Sequence, residues 1–87
     1  MAFSDINPKA PVHILIVPRK HIESIAELEP GDEFLVGNMV KVAKWLAEEN
    51  RIGDKGYKLL FNVGKEGGQV VPHLHLHLMG GKQMKEF

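Results

Sequence analysis

The segment His73-Leu74-His75-Leu76-His77-Leu78-Met79 gathers three of the chain's five histidines into five positions. On a strand successive side chains alternate between faces, so the three imidazoles would share one face and Leu74, Leu76 and Leu78 the other. Such alternation makes poor sequence for a strand that only packs. Two chemistries suit it. The rings could offer nitrogen ligands to zinc, or the middle imidazole could act as a nucleophile while its neighbours fix its tautomer and move protons. Spacing favours the second. Side chains at i and i+4 on one strand lie about 13 Å apart at ~3.3 Å per residue, too far to hold one ion together. At most two of the three could ligate a metal, with His13, His21, Asp5 or Glu66 completing the set.

A neutral imidazole, with its reference pKa of about 6.5, can attack phosphorus without a metal. Gly64-Lys65-Glu66-Gly67-Gly68 leads straight into the histidine segment, and a glycine-rich turn can aim backbone N–H groups at an anion. Glycines in a turn need no ligand, so this signal gains weight only beside the histidines. Together they point to attack on an α-phosphate and a phosphohistidine-type intermediate that water resolves.

The elements that must carry these residues follow from pattern. Residues 2–6 read as a short strand ended by Asn7-Pro8. Val12 to Val17, β-branched and nearly all apolar between Pro11 and Pro18, reads as a strand buried on both faces. Arg19-Lys20-His21 follows as a polar turn with His21 in solvent, and Ser24 to Leu28 as a single helical turn. Pro30-Gly31-Asp32 opens a helix running to about Asn50, with acidic Asp32 and Glu33 in its first turn and Gly53 past its end. Its apolar arc holds Leu35, Val36, Met39, Val40, Val42, Ala43, Leu46 and Ala47. Phe34 and Trp45 project together from the polar side, either covered by neighbouring segments or forming a self-association face. Gly56 to Val63 and Gln69 to Met79 read as two further strands forming an antiparallel hairpin. The class is α+β, in one domain.

With 87 residues, 44% hydrophobic and 25% charged, the chain suits one small globular domain. It has no cysteine, hence no disulfide, zinc finger or thiol nucleophile. A formal charge of zero argues against a polyanion binder, so no nucleic-acid partner is expected. The longest apolar run, Ile14 to Val17, is too short to span a bilayer, and the start lacks the regions of a signal peptide. A cytoplasmic protein is expected.

The histidine segment fits the His-φ-His-φ-His-φ-φ signature (φ, hydrophobic) of the histidine triad superfamily. The chain further resembles the branch of histidine triad nucleotide-binding proteins called Hint. The likeness runs through Ala2-Phe3-Ser4-Asp5-Ile6-Asn7-Pro8, Ala10-Pro11-Val12-His13, Val17-Pro18-Arg19-Lys20-His21-Ile22, Gly67-Gly68-Gln69 and Gly80-Gly81-Lys82-Gln83-Met84. It covers nearly the whole chain.

That resemblance implies an antiparallel sheet with one long helix, continued across a homodimer. It implies hydrolysis of purine nucleoside phosphoramidates, and some acyl-adenylates, to an AMP- or GMP-type monophosphate, without metal or cofactor. His75 would be the nucleophile. The His73 carbonyl would accept a hydrogen bond from its ring, while His77 and His13 would complete the polar cluster and assist proton transfer. Asn62 would line the phosphate end with Gln69 beside it, next to Gly68 and Val70. Asp5 would hold the ribose hydroxyls, and Phe3 and Ile6 part of the base pocket.

Read from the residues alone, Asp5 and Asn62 are a turn former and a strand-end residue, and Phe3 is core. Two departures from the family pattern stand out. The chain starts inside a strand that a helix and strands usually precede, giving an N-terminally shortened domain over 1–87. Val70 replaces a Ser or Thr whose hydroxyl reaches the scissile bond, a loss of about 10–1000-fold if oxyanion-type donors are a guide. Rival classes are a nucleotide-binding module with little turnover, a zinc site using two triad histidines, and a fragment with no ligand.

Overall fold

A computed structural model describes residues 1–86; Phe87 lies outside the described residues. The elements are β1 (Ala2–Ser4), β2 (Val12–Ile16), a single 3₁₀ turn (Ile25–Glu27), α1 (Asp32–Glu49), β3 (Tyr57–Leu60) and β4 (Leu76–Gly80). The four strands form one antiparallel sheet in the order β1-β2-β4-β3. β4 therefore inserts between β2 and β3, which carries His77 into the middle of the sheet while His73 and His75 precede the strand.

Helix α1 covers one face. Asp32 fixes its start: its carboxylate accepts the Glu29 N–H at 2.9 Å and pairs with Lys20 at 2.8 Å. Those two contacts, the lysine first, hold the Asp32 carboxyl below its ordinary value. Gly31 supplies the left-handed conformation before it, with φ 97°. At the far end the left-handed residue is Arg51 rather than Gly53, and Asn50 closes the helix by donating from its side chain to the Leu46 carbonyl.

The core lies between α1 and the sheet, where Met39, Ala43 and Ala47 meet Ile14, Ile16, Leu76 and Leu78. Two alanines let the helix approach closely, so the buried stripe is narrower than the expected arc. Val40 and Val42 are exposed, and Leu35, Val36 and Leu46 are only half-buried. Strand β2 is not buried along the whole of its second face, where Leu15 is half-buried although His13 is buried.

Both late strands are shorter than their pattern predicts. β4 begins at Leu76, since Pro72 offers no ladder N–H and the preceding residues are spent on turn and loop bonds. β3 and β4 do pair antiparallel, Tyr57 with Gly80 and Leu60 with His77, but a long excursion through 61–75 joins them in place of a tight hairpin. The register puts Leu76 and Leu78 on the helix side and His77 on the open face, beside Leu15 and Leu60.

Candidate functional site

On the open face the polar groups form an ordered chain. The Lys9 N–H donates to His13 Nδ1 at 3.0 Å. A neutral imidazole that accepts at Nδ1 carries its proton on Nε2, so His13 Nε2–H donates to His77 Nδ1 at 2.9 Å. His77 then keeps its own proton on Nε2. Asp5 stands behind this pair. One carboxylate oxygen accepts the Asn7 N–H at 2.8 Å, the turn expected of its sequence, and the other lies 3.5 Å from His13 Nε2. His13 is buried despite its polarity, with each ring nitrogen accounted for. Burial, with smaller contributions from His75 and His13, holds His77 below the ordinary imidazole value, while Asp5 acts in the opposite sense.

His75 is fixed by the backbone. Its Nδ1–H donates to the His73 carbonyl at 2.7 Å, so Nε2 retains its lone pair. Its ring stands edge-on to His77 with centroids 5.0 Å apart. An unprotonated nitrogen beside a ring that carries a proton is the pairing needed for attack and leaving-group protonation.

Asp5, His13 and His77 also bring ligand-type atoms within 4.8 Å of one another. Their hydrogen bonding does not suit a metal. A histidine that ligates through Nε2 normally donates its Nδ1–H to a carboxylate or carbonyl. Here Nδ1 of His13 receives an N–H, which leaves the proton on the nitrogen a metal would need. The cluster is wired for protons.

A cleft of about 480 Å³ opens over this chain, lined by Phe3, Asp5, Ile6, Asn62, Gly68, Val70, His75 and His77. His73 lines an adjoining recess with Phe3 and His75. Phe3 is 51% exposed and so is not core. A groove of about 500 Å³ between α1 and the end of β2 contains no histidine or carboxylate.

The structure separates Gln69 from that group. Its side chain accepts the Gly64 N–H and donates to the Glu23 and Val71 carbonyls, so it braces the loop rather than facing a ligand. Asn62 donates to the Gly67 carbonyl at 2.8 Å, tying the glycine-rich turn shut at the cleft's edge. Gly67 is required there, because a Cβ would overlap the Val63 carbonyl. The N–H groups of Gly64, Gly68 and Gln69 are all bonded inside this turn, so these three are not aimed at an anion as the glycine-rich sequence allows.

His21 was expected in solvent. It is exposed, yet its ring lies against His73 with the two Nδ1 atoms 3.0 Å apart. Local sequence gave no sign of this, because the partner is 52 positions away.

Comparison with known proteins places these observations in a family. Residues 1–84 match the HIT domain. An uncharacterized HIT-like protein of Buchnera aphidicola subsp. Baizongia pistaciae (strain Bp) is 42% identical over 85 residues, spanning 98% of this chain and 76% of that protein. A HIT family hydrolase from Legionella pneumophila Philadelphia 1 superposes with a TM-score of 0.95 at 48% identity, over 98% of this chain and 76% of the other. A histidine triad nucleotide-binding protein from Candida albicans gives 0.76 at 33% identity, over 88% and 56%. With His77 carried into the centre of a four-stranded antiparallel sheet and His73 and His75 just before that strand, the chain belongs to the HIT family.

Proposed function

We propose that the protein is a metal-independent hydrolase of purine nucleoside phosphoramidates, releasing an AMP- or GMP-type monophosphate. The observation that carries this reading is the His75 ring, held through Nδ1–H on the His73 carbonyl, which makes Nε2 the free nitrogen of the neutral ring. The hydrolase and nucleotide-binding relatives support it at the level of the class.

In the first step His75 Nε2 attacks the α-phosphorus, and a P–N(His) bond forms as the P–N bond to the leaving amine breaks. A proton taken up with the substrate makes His77 an imidazolium, the form that the Asp5 carboxylate favours; the amine takes the Nε2 proton and leaves the ring neutral. In the second step water attacks the phosphorus and gives a proton back to His77. The P–N(His) bond breaks, restoring His75 and releasing the monophosphate. Asp5 has a second role available, since a carboxylate at the cleft wall can accept the ribose hydroxyls. Phe3 and Ile6 offer apolar surface to the base, with Asn62, Gly68 and Val70 toward the phosphate.

The test is AMP release from adenosine 5′-phosphoramidate with EDTA present. The parent should turn over, and His75→Ala should lose at least ~1000-fold, as removal of a covalent nucleophile does. Equal activity in His75→Ala would refute the covalent route.

One observation favours a second reading, a binding module with little turnover. Ile6 is 92% and Val70 90% exposed, so the cleft grips weakly at both the base and phosphate ends. Calorimetric binding of AMP without release from the phosphoramidate would select that reading.

A further inference from the structure

His75 does not lie in the sheet ladder. The β2–β4 register begins at Ile16 with Leu76, so His73, Leu74 and His75 precede the first paired residue. Their position has to come from elsewhere, and the loop after β2 supplies it. The Leu74 N–H donates to the Ile22 carbonyl at 2.6 Å, and Gln69 donates to the Glu23 carbonyl at 2.6 Å. His73 Nε2–H donates to the Pro18 carbonyl at 3.3 Å. With its proton on Nε2, His73 can only accept at Nδ1, and the group that donates there is His21 Nδ1–H at 3.0 Å. The two rings meet edge to face, 4.9 Å between centroids.

We propose that His21 is a positioning residue for the nucleophile: by holding the His73 ring it fixes the carbonyl on which the His75 tautomer depends. The proposal rests on reading His75 as the nucleophile. His21 touches neither the cleft nor substrate. It acts two bonds removed, from His21 Nδ1–H to His73, and from the His73 carbonyl to His75 Nδ1–H. Loss of this support leaves His73 with one ring contact, on Pro18, and lets the 73–75 backbone shift. His75 then samples the tautomer that carries its proton on Nε2 and cannot attack.

The substitution pair that tests this is His21→Phe against His21→Asn. Phenylalanine keeps the ring and removes the donor. Asparagine places an amide N–H where Nδ1 stood. Long-range ¹H–¹⁵N correlation spectra of the imidazoles report the His75 tautomer directly, and adenosine 5′-phosphoramidate kinetics are measured on the same samples. In the parent His75 is expected as the Nδ1–H form. His21→Phe should show both His75 tautomers and a kcat lower by about 10–100-fold, the range seen when outer-shell partners are removed, with little change in KM. His21→Asn should restore the single tautomer and most of kcat. A single Nδ1–H tautomer in His21→Phe, with kcat unchanged, overturns the proposal, as does failure of asparagine to rescue. Should His21→Phe misfold, His21→Ala removes the same donor without added bulk and is read identically. If the parent releases no AMP, the phosphoramidase reading is what has failed, and the tautomer spectra still decide the role of His21.

Discussion

At the scale of single residues, His77 sits between influences of opposite sign. Burial and the neighbouring imidazoles favour its neutral form, and the Asp5 carboxylate favours the charged one. Neutralising Asp5 in Asp5→Asn removes the influence that favours the charged ring and should lower the His77 pKa further, readable as an NMR titration midpoint at lower pH. A rise instead would show that Asp5 does not act on the cluster. The depressed His77 pKa has a linked effect on stability. In the unfolded chain the ring titrates near its reference of about 6.5. Stability is therefore unaffected above that pH and is lost as pH falls toward the lowered folded value, because only the unfolded chain takes up the proton. Val70 shows a different limit at this scale. It is exposed at the cleft and has no hydroxyl, so no side-chain donor at that position reaches a leaving group.

At the scale of elements, the first turn of α1 depends on Asp32 more than on its capping position, since Gly31 has no side chain to offer. Asp32 is depressed by Lys20 and by the Glu29 N–H. Its contribution is present above the unfolded carboxylate value of about 3.9 and is lost as pH falls through the folded pKa. In Asp32→Asn this dependence should vanish, leaving a lower melting temperature at neutral pH and a flatter acid limb in thermal unfolding curves. Retention of the parent's acid limb would assign it to other carboxylates. How much was legible beforehand also divides by element. Strands β1 and β2 and the helix were readable because their signals are local: alternation, β-branching, an acidic first turn. The alternating histidines marked the site for the same reason. The start of β4 was not readable, because residues 69–75 have strand-like composition but spend their polar groups on the loop after β2. Gln69 was placed at the phosphate by likeness of motif, and the side-chain bonds that turn it inward are made to distant carbonyls. His21 failed in the opposite direction. Its neighbours Arg19 and Lys20 are solvated, and only folding brings His73 to it.

At the scale of the whole molecule, the helix leaves Phe34 77% and Trp45 58% exposed, with Val42 beside them. No described segment covers them, which removes the first of the two explanations their pattern allowed. Exposed aromatic residues in register on one face suit an interface, and we propose a homodimer through this face. Sedimentation velocity should give a dimer for the parent, and Trp45→Ala should raise its dissociation constant by about 10-fold or more, as expected for a buried aromatic anchor. A monomer at all concentrations would refute it. Among the described residues no helix is long and apolar enough to cross a membrane.

The insertion of β4 between β2 and β3 has a kinetic consequence. His13 and His77 are 64 positions apart in the chain and hydrogen-bonded in the fold. Contacts of such sequence separation form late, because the loop they close must be ordered before they repay its entropy. The helix and β2 can be in place while His77 is still unpaired. The hydrogen-bonded histidine cluster is thus assembled only when these distant segments meet.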